Sequence, residues 1–317
     1  MARYLLQRVG MTAMVVLLVM LFLAGIVHLV PGEPATLILG PRASDAMIES
    51  VRAEMGLDDP VLVQVVSFVV NAVQGDLGRD FVSNRPVTDV VANVLPHTIA
   101  LAVASLALAV LIGVPFGVLA ATRPDSLLDR VTSIMSVSFI TMPSYVVGLF
   151  LLLAFPVSLG VLPATGAGSF SEPLDYLRHL ILPACALAIT WVGYFARLVR
   201  SSMLEVIGTN YIRVARAYGI RERAVFYRYA LKNAVIPTVA ILGVSLGNLM
   251  GGAIFIEVIF TRPGLGTLAV DAISNRNFPI VRGAILFVAL LFVLANLFAD
   301  LSYRFIDPRI RVEEVKA

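Results

Sequence analysis

The amino-acid sequence predicts an all-α polytopic membrane protein with six transmembrane helices, and three observations carry that prediction. Hydrophobic residues make up 59% of the 317-residue chain and charged ones only 14%, where soluble domains carry about 25% charged residues. Six apolar runs appear near 11–30, 98–121, 132–155, 179–199, 234–256 and 281–303. Each is long enough to cross a hydrocarbon core about 30 Å thick, which takes roughly 20 helical residues. Lipid offers exposed backbone amides no partner, so such runs must satisfy their own hydrogen bonds as helices. The single cysteine, Cys185, lies inside an apolar run and excludes a disulfide scaffold.

The first run follows Arg3 and Arg8 and ends in Val30-Pro31-Gly32-Glu33 without a small-x-small cleavage site. It is longer than the core of about 7–15 residues in a signal peptide, so it reads as a retained spanning helix. Segment 31–97 holds nine acidic residues against four arginines. Within it Ser44 can cap a short helix that stops at Gly56, with Met47, Val51 and Met55 at helical spacing. Asp59-Pro60 opens a second helix, proline in its first turn, running to about Gln74-Gly75. That helix is too short to span and lies at the interface or packs on the spanning helices, with a seventh crossing as the competing reading. Prolines 115, 143, 156, 183 and 237 fall in or at the ends of the later runs, where spanning helices tolerate them as kinks.

Residues 197–232 carry eight basic side chains against two acidic ones, Glu205 and Glu222. Basic residues concentrate on the cytoplasmic side. Both termini, the 197–232 loop and the short 122–131 loop are therefore expected inside, and 31–97, 156–178 and 257–280 outside. The organisation is 1–30, the N-terminal end and first helix; 31–97, an extracytoplasmic segment; 98–304, a five-helix core with a cytoplasmic loop near 204–232; and 305–317, a cytoplasmic tail.

Several chemistries are missing. A phosphate-binding P-loop needs Gly-Lys followed by Ser or Thr. The only lysines, Lys232 and Lys316, follow Leu231 and Val315, so the chain does not itself hydrolyse ATP by that route. His28, His97 and His179 are scattered without metal-ligand spacing. Gly243-Val-Ser245-Leu-Gly247 matches the nucleophile-elbow pattern, yet it sits midway along an apolar helix, where the required strand–turn–helix cannot form. With Gly251, the same glycines form a double Gly-xxx-Gly that lets another helix approach closely, and Gly113 with Gly117 repeats the device. An ionisable group inside the membrane marks function by default. Asn248 and Glu257 are thus candidates for lining a pathway, with interhelical hydrogen bonding equally open for Asn248. Asn296 and Asp300, four apart on one helical face, read as structural.

The most informative stretch is Asn210-Tyr-Ile-Arg-Val-Ala-Arg-Ala-Tyr-Gly219-Ile-Arg-Glu-Arg, followed by Tyr229-Ala-Leu-Lys-Asn-Ala-Val-Ile-Pro237. Arg213 and Arg216 share one helical face, Ala215 and Ala217 are small, and Gly219 permits a sharp exit from a helix. Such a helix suits a groove on another protein; a basic loop that merely orients the chain is the plainer reading. The stretch resembles the coupling loop of ABC importer permeases of the dipeptide/oligopeptide/nickel family, B-type subunit. In the same order, Arg3-Tyr4-Leu5-Leu6, Leu29–Ala35, Gly56-Leu-Asp-Asp-Pro60 and Gly75-Asp-Leu-Gly78 are similar to that family's first third. Glu257-Val-Ile-Phe-Thr-Arg-Pro-Gly-Leu-Gly266, Asn296-Leu-Phe-Ala-Asp300 and Asp307-Pro-Arg309 are similar to its last third. The broader permease motif opens with Glu-Ala-Ala; here Arg213-Val214-Ala215 stands in its place, which removes the acidic group.

The resemblance implies a type I ABC importer permease fold with a helical extracytoplasmic insertion after the first helix, in a prokaryotic inner membrane. It implies no enzymatic activity in this chain and no cofactor, because ATP and Mg would be bound by partner subunits. The partners it implies are a second homologous permease subunit, two ATP-binding subunits, an extracytoplasmic substrate-binding protein and membrane lipid, with no nucleic acid. Tyr211, Arg213, Ala215, Arg216, Ala217 and Gly219 are then the expected contacts to the ATPase. The commonest cargo of such permeases is di- or oligopeptide, with nickel, glutathione and sugars open. An ion-driven secondary transporter is the competing class; it would show inverted repeats and charged broken helices at the midplane.

Overall fold

The computed structural model describes residues 10–11, 13–23, 44–46, 48–49, 52 and 59–306. The motifs at Arg3–Leu6, Leu29–Ala35 and Asp307–Arg309, the glycine stop at Gly56, its helical positions Met47, Val51 and Met55, and the tail lie outside the described residues. Among the described ones the chain is helical, and the helices are α1 (Ala13–Leu23), α2 (Val61–Val73), α3 (Val87–Thr122), α4 (Leu127–Thr141), α5 (Ser144–Leu152) and α6 (Pro173–Ile207). They continue with α7 (Asn210–Ala217), α8 (Glu222–Ala224), α9 (Leu231–Ala234), α10 (Ile236–Ile259), α11 (Leu265–Ser274) and α12 (Phe278–Ile306). Four of them, α3, α6, α10 and α12, are long and apolar enough to cross a membrane, and α4 with α5 makes a fifth if that pair is one span. The first expected span is described only over α1.

The expected span 132–155 is not one continuous helix. Its chain breaks between α4 and α5 with a 99° bend. Pro143 has no N–H for the ladder and drives Met142 into extended backbone at φ −79°, ψ 123°, as the residue before proline prefers. Pro115 and Pro183 lie inside uninterrupted helices, so proline alone does not decide a break. Beyond α5 the chain widens into a π-helical stretch, Leu153–Leu159, around Pro156 and stops at Gly160 with φ 65°.

Two compact units form. One joins the residues up to Thr98 to Pro263–Val293; the other joins Ile99–Arg262 to the chain after Val293. In the second unit α6 is the pillar: 61% of its apolar window is buried within the chain, against 28–33% for α3, α10 and α12. Close approach to it uses small residues. A Cβ at Gly113 or Gly117 of α3 would sit 2.8 Å from the Val192 carbonyl or 2.6 Å from that of Ala196, and one at Gly193 of α6 would sit 2.6 Å from the Ser136 carbonyl of α4.

In the first unit α2 starts after Pro60 and ends at Gln74, with Gly75 at φ 85°, within a residue of the sequence expectation. Its 13 residues span about 20 Å at 1.5 Å per residue, short of a crossing. Gln64 and Val65 are buried while Leu62, Val66, Val70 and Val73 are exposed, so α2 packs by one face and offers an apolar stripe on another. Leu77, Val87, Val91, Leu265, Ala272 and Ile280 form this unit's core. The Leu265 amide, at the start of α11, donates to Thr98 Oγ1 at 2.8 Å.

Candidate functional site

The loop between α6 and α10 folds into a knob. α6 ends at Ile207, and Gly208 and Thr209 turn the chain into α7. Ile212 is fully buried and Ala215 is 6% exposed. Ile212 packs among Val118, Ala121, Val199, Met203, Val225, Ala230 and Ala234. Burying an isoleucine side chain is worth about 1.5–3 kcal/mol, so two turns of helix are pinned by one large apolar anchor and one small one. Tyr211, Arg213, Val214, Arg216, Ala217 and Tyr218 remain exposed.

α7 closes with two paired backbone bonds. The Ile220 amide donates to the Ala215 carbonyl at 3.3 Å, and the Gly219 amide to that of Arg216 at 2.9 Å. Gly219 has φ 72°, the left-handed residue that this helix stop requires. A Cβ there would meet nothing within 4 Å, so the demand for glycine is conformational and not steric. Across the turn Arg216 clasps Glu222, Nε to Oε1 at 2.9 Å and Nη2 to Oε2 at 3.3 Å. The Asn233 amide donates to the Tyr211 hydroxyl at 2.8 Å, tying the two ends of the loop. Arg213 Nη2 donates to the Gly208 carbonyl at 3.3 Å.

The six residues expected to contact an ATPase therefore divide. Tyr211, Arg213, Arg216 and Ala217 are on the surface, Gly219 shapes the stop, and Ala215 is buried. Ala215, expected among the contacts, lies on the inward face, three positions after Ile212. Arg216 is less of a free charge than its basic neighbourhood suggested, since Glu222 holds it.

Residues 113–312 match the family described as "Binding-protein-dependent transport system inner membrane component", and residues 1–102 match its N-terminal companion. The chain belongs to this family. It is 37% identical, over 97% of its length and 99% of the relative's, to the "Probable peptide ABC transporter permease protein y4tP" of Sinorhizobium fredii. It is 40% identical, over 90% of its length and 91% of the relative's, to the "Glutathione transport system permease protein GsiC" of Shigella flexneri. A solved inward-facing MetNI methionine ABC transporter shares the fold, with a TM-score of 0.58 at 20% identity over 69% of this chain and 96% of that one. This chain is thus a multi-pass inner-membrane permease with the type I ABC importer fold, a transport subunit and not an enzyme, and it works within an assembly of other subunits.

In this permease the candidate pathway residues part company. Asn248 is exposed on α10, in a stripe with Val244, Gly251, Phe255 and Val258. Glu257 is fully buried, and its backbone carbonyl accepts from the Arg262 amide at 2.8 Å. Glu257, expected to line the pathway, thus lies inside the chain with no exposed surface. Arg262 is fully buried too; its Nη2 donates to the Tyr176 hydroxyl at 2.7 Å and its guanidinium lies 5.0 Å from that ring's centre. The glycine triad also divides: Gly247 is buried, Gly243 half-buried and Gly251 exposed. Four-residue steps rotate about 40° each on a helix with 3.6 residues per turn, so the three glycines spread over about 80° of the helix surface.

Sequence reasoning missed Asp129. It is 3% exposed and accepts hydrogen bonds from Arg200 Nε and, at 2.8 Å, Arg200 Nη2. The partners stand 71 residues apart, and nothing local in the 122–131 loop signals the pair.

Proposed function

We propose that this permease forms half of the translocation pathway of an ATP-driven importer of di- or oligopeptides and is driven through the α7 knob by separate ATP-binding subunits. The carrying observation is the knob: a short helix pinned inward by Ile212 and Ala215 and ended by Gly219, with Tyr211, Arg213, Val214 and Tyr218 outward. A rigid projection anchored on the end of α6 passes movement to the pillar helix, whereas a slack basic loop would absorb it. Coupling of this kind needs a stiff contact and two discrete packings, not chemistry in the chain itself. ATP and Mg then belong to the partner subunits.

The loop's basic excess supports a cytoplasmic knob and cytoplasmic termini. The exposed stripe of α10, polar at Asn248 and small at Gly251, suits the face toward a second, homologous permease across the pathway. An extracytoplasmic binding protein delivers the cargo. Relatives named for peptide and for glutathione transport both support a small peptide as that cargo.

Substitution at Gly219 tests the reading. With Gly219→Val in the assembled transporter, the permease still inserts, while ATP-dependent peptide uptake falls at least about tenfold because β-branched residues resist the left-handed region. Gly219→Asn, which tolerates that region, retains most uptake. Full uptake by Gly219→Val, or uptake by the wild type driven by an ion gradient without ATP, defeats the proposal.

A further inference from the structure

Two cavities open between α3, α4 and α6 in the second unit, and they share a wall of Thr132, Ser136 and Ala196. The first, about 240 Å³, is apolar and is lined by Ile112, Phe116, Met135, Phe139 and Val192. The second, about 250 Å³, adds Ser133, Val137, Arg197 and Arg200. No carboxylate is among the residues lining either one. The cavities are stacked along the helices. Close approach of α3 to α6 runs from Gly113 beside Val192 to Gly117 beside Ala196 and the Arg200 amide, toward the turn where α3 ends at Thr122 and α4 begins at Leu127. The basic cavity is therefore nearer the helix ends, and the apolar one lies further along the spanning segments. Ile112, Phe116 and Met135 are all partly exposed, so the apolar cavity is open to the side.

The two guanidiniums of the basic cavity differ. Arg200 is held by the Asp129 carboxylate. Arg197 is exposed and has no hydrogen-bond or ion-pair partner among the described residues. Arg130, on the same face of α4 as Ser133 and one turn nearer the helix end, is exposed and unpartnered in the same sense. Positive charge that the chain leaves unpaired thus stands at the end of an apolar slot. Water suits that slot badly, because a held water needs two to four polar partners; a hydrocarbon chain entering from the bilayer needs none. A free anion would meet Arg197 and leave the slot empty. A zwitterionic lipid would fill the slot but bring a cation that Arg197 repels. Basic pockets between spanning helices suit anionic headgroups, and an anionic lipid satisfies both parts at once.

We propose that the joined cavities bind one anionic phospholipid of the surrounding bilayer, with an acyl chain against Phe116, Met135 and Val192 and its phosphate on Arg197. The site does not depend on the assignment of cargo or of the contact to an ATPase.

Trp191, the single tryptophan of the chain and the neighbour of Val192 on α6, reports on the apolar cavity without a label. The full-length permease is placed in phosphatidylcholine nanodiscs carrying a minor fraction of lipid brominated in its acyl chain, a short-range quencher, supplied either as phosphatidylglycerol or as phosphatidylcholine. Brominated phosphatidylglycerol quenches Trp191 with about fivefold higher relative affinity, the gain expected from one arginine meeting an anionic lipid. Arg197→Gln, a substitution at an exposed residue, removes this preference and leaves thermal unfolding unchanged. Arg178→Gln, towards the other end of α6, keeps it, which separates a local contact from the overall charge of the protein. Glycerol phosphate added to the buffer does not displace the brominated lipid. Equal quenching by the two lipids, a preference kept in Arg197→Gln or lost in Arg178→Gln, or displacement by glycerol phosphate would each overturn the assignment. So would loss of the preference on assembly with a second permease subunit, which would make the groove a contact between subunits.

Discussion

The α7 knob and the turn that precedes α3 are both short, polar-looking stretches, yet they are held by opposite means. In the knob the fixing contacts are apolar: Ile212 and Ala215 go inward, and the polar links at Arg216, Glu222, Tyr211 and Asn233 all lie on the surface. In the turn the fixing contacts are carboxylates. Asp76 Oδ1 accepts from the Gly78 amide at 2.9 Å. Asp80 accepts from the amides of Val82 at 3.0 Å and Ser83 at 3.2 Å, from the Ser83 hydroxyl, and from the Asn277 side chain across the base of α12. The knob is thus fixed by contacts indifferent to pH and salt. The turn is fixed by groups that titrate and whose partners are neutral donors.

The largest expected effect tests the apolar anchor. Ile212→Ala removes the one large side chain under α7, and comparable core truncations cost about 2–5 kcal/mol. The knob loosens while the insertion of the spanning helices is kept. Capture of the ATP-binding subunits by the mutant permease, measured by pull-down from membranes, falls accordingly. Undiminished capture would show that the buried anchor does not set the knob's shape.

The next effect tests the carboxylate anchor. Partial burial of Asp80 pushes its carboxyl up, but the hydrogen bonds from Ser83, Val82 and Asn277 together outweigh it and leave the group below its ordinary value. A carboxyl lowered on folding contributes stability that is fully present above its unfolded value of about 3.9 and is lost as pH falls through the folded one. Thermal unfolding of the wild type therefore weakens below about pH 4, and Asp80→Asn, already weaker at neutral pH, loses that part of the acid dependence. An Asp80→Asn chain with the same acid dependence as the wild type would place the titrating group elsewhere.

These two regions also show what a sequence displays and what it withholds. The ends of α2 at Pro60 and Gly75, and of α7 at Gly219, are local chemistry: a fixed φ, a missing donor, a left-handed residue. They are read from a few adjacent letters. Asp80 with Asn277, 197 residues apart, and Asp129 with Arg200 are encoded by no local pattern. The break at Pro143 belongs with these, since Pro115 and Pro183 sit in unbroken helices and the surroundings decide. Glu257 looked like a pathway group because it is acidic at the end of an apolar run; that its side chain is fully buried became visible only in three dimensions. For the knob, the periodicity showed a helix with a basic side, but Ala215 and Ala217 look alike in sequence and only packing separates anchor from surface.

The smallest effect concerns the clasp between Arg216 and Glu222, where the two regions would become alike if charge mattered to the knob. Both side chains are substantially exposed, at 37% and 57%, and exposed pairs of this kind are worth about 0–1 kcal/mol and weaken with salt. Glu222→Gln should therefore leave unfolding almost unchanged. Its effect is on the surface: freed from Glu222, Arg216 adds a positive charge beside Arg213, and the on-rate for an acidic partner groove rises modestly at low ionic strength and returns to the wild-type value as salt screens the field. Surface plasmon resonance of the ATP-binding subunit on captured permease, repeated across a salt series, reads this directly. A large, salt-independent loss of binding would mean instead that the clasp shapes the turn at Gly219, and that the knob, like the turn before α3, depends on a polar bond for its form.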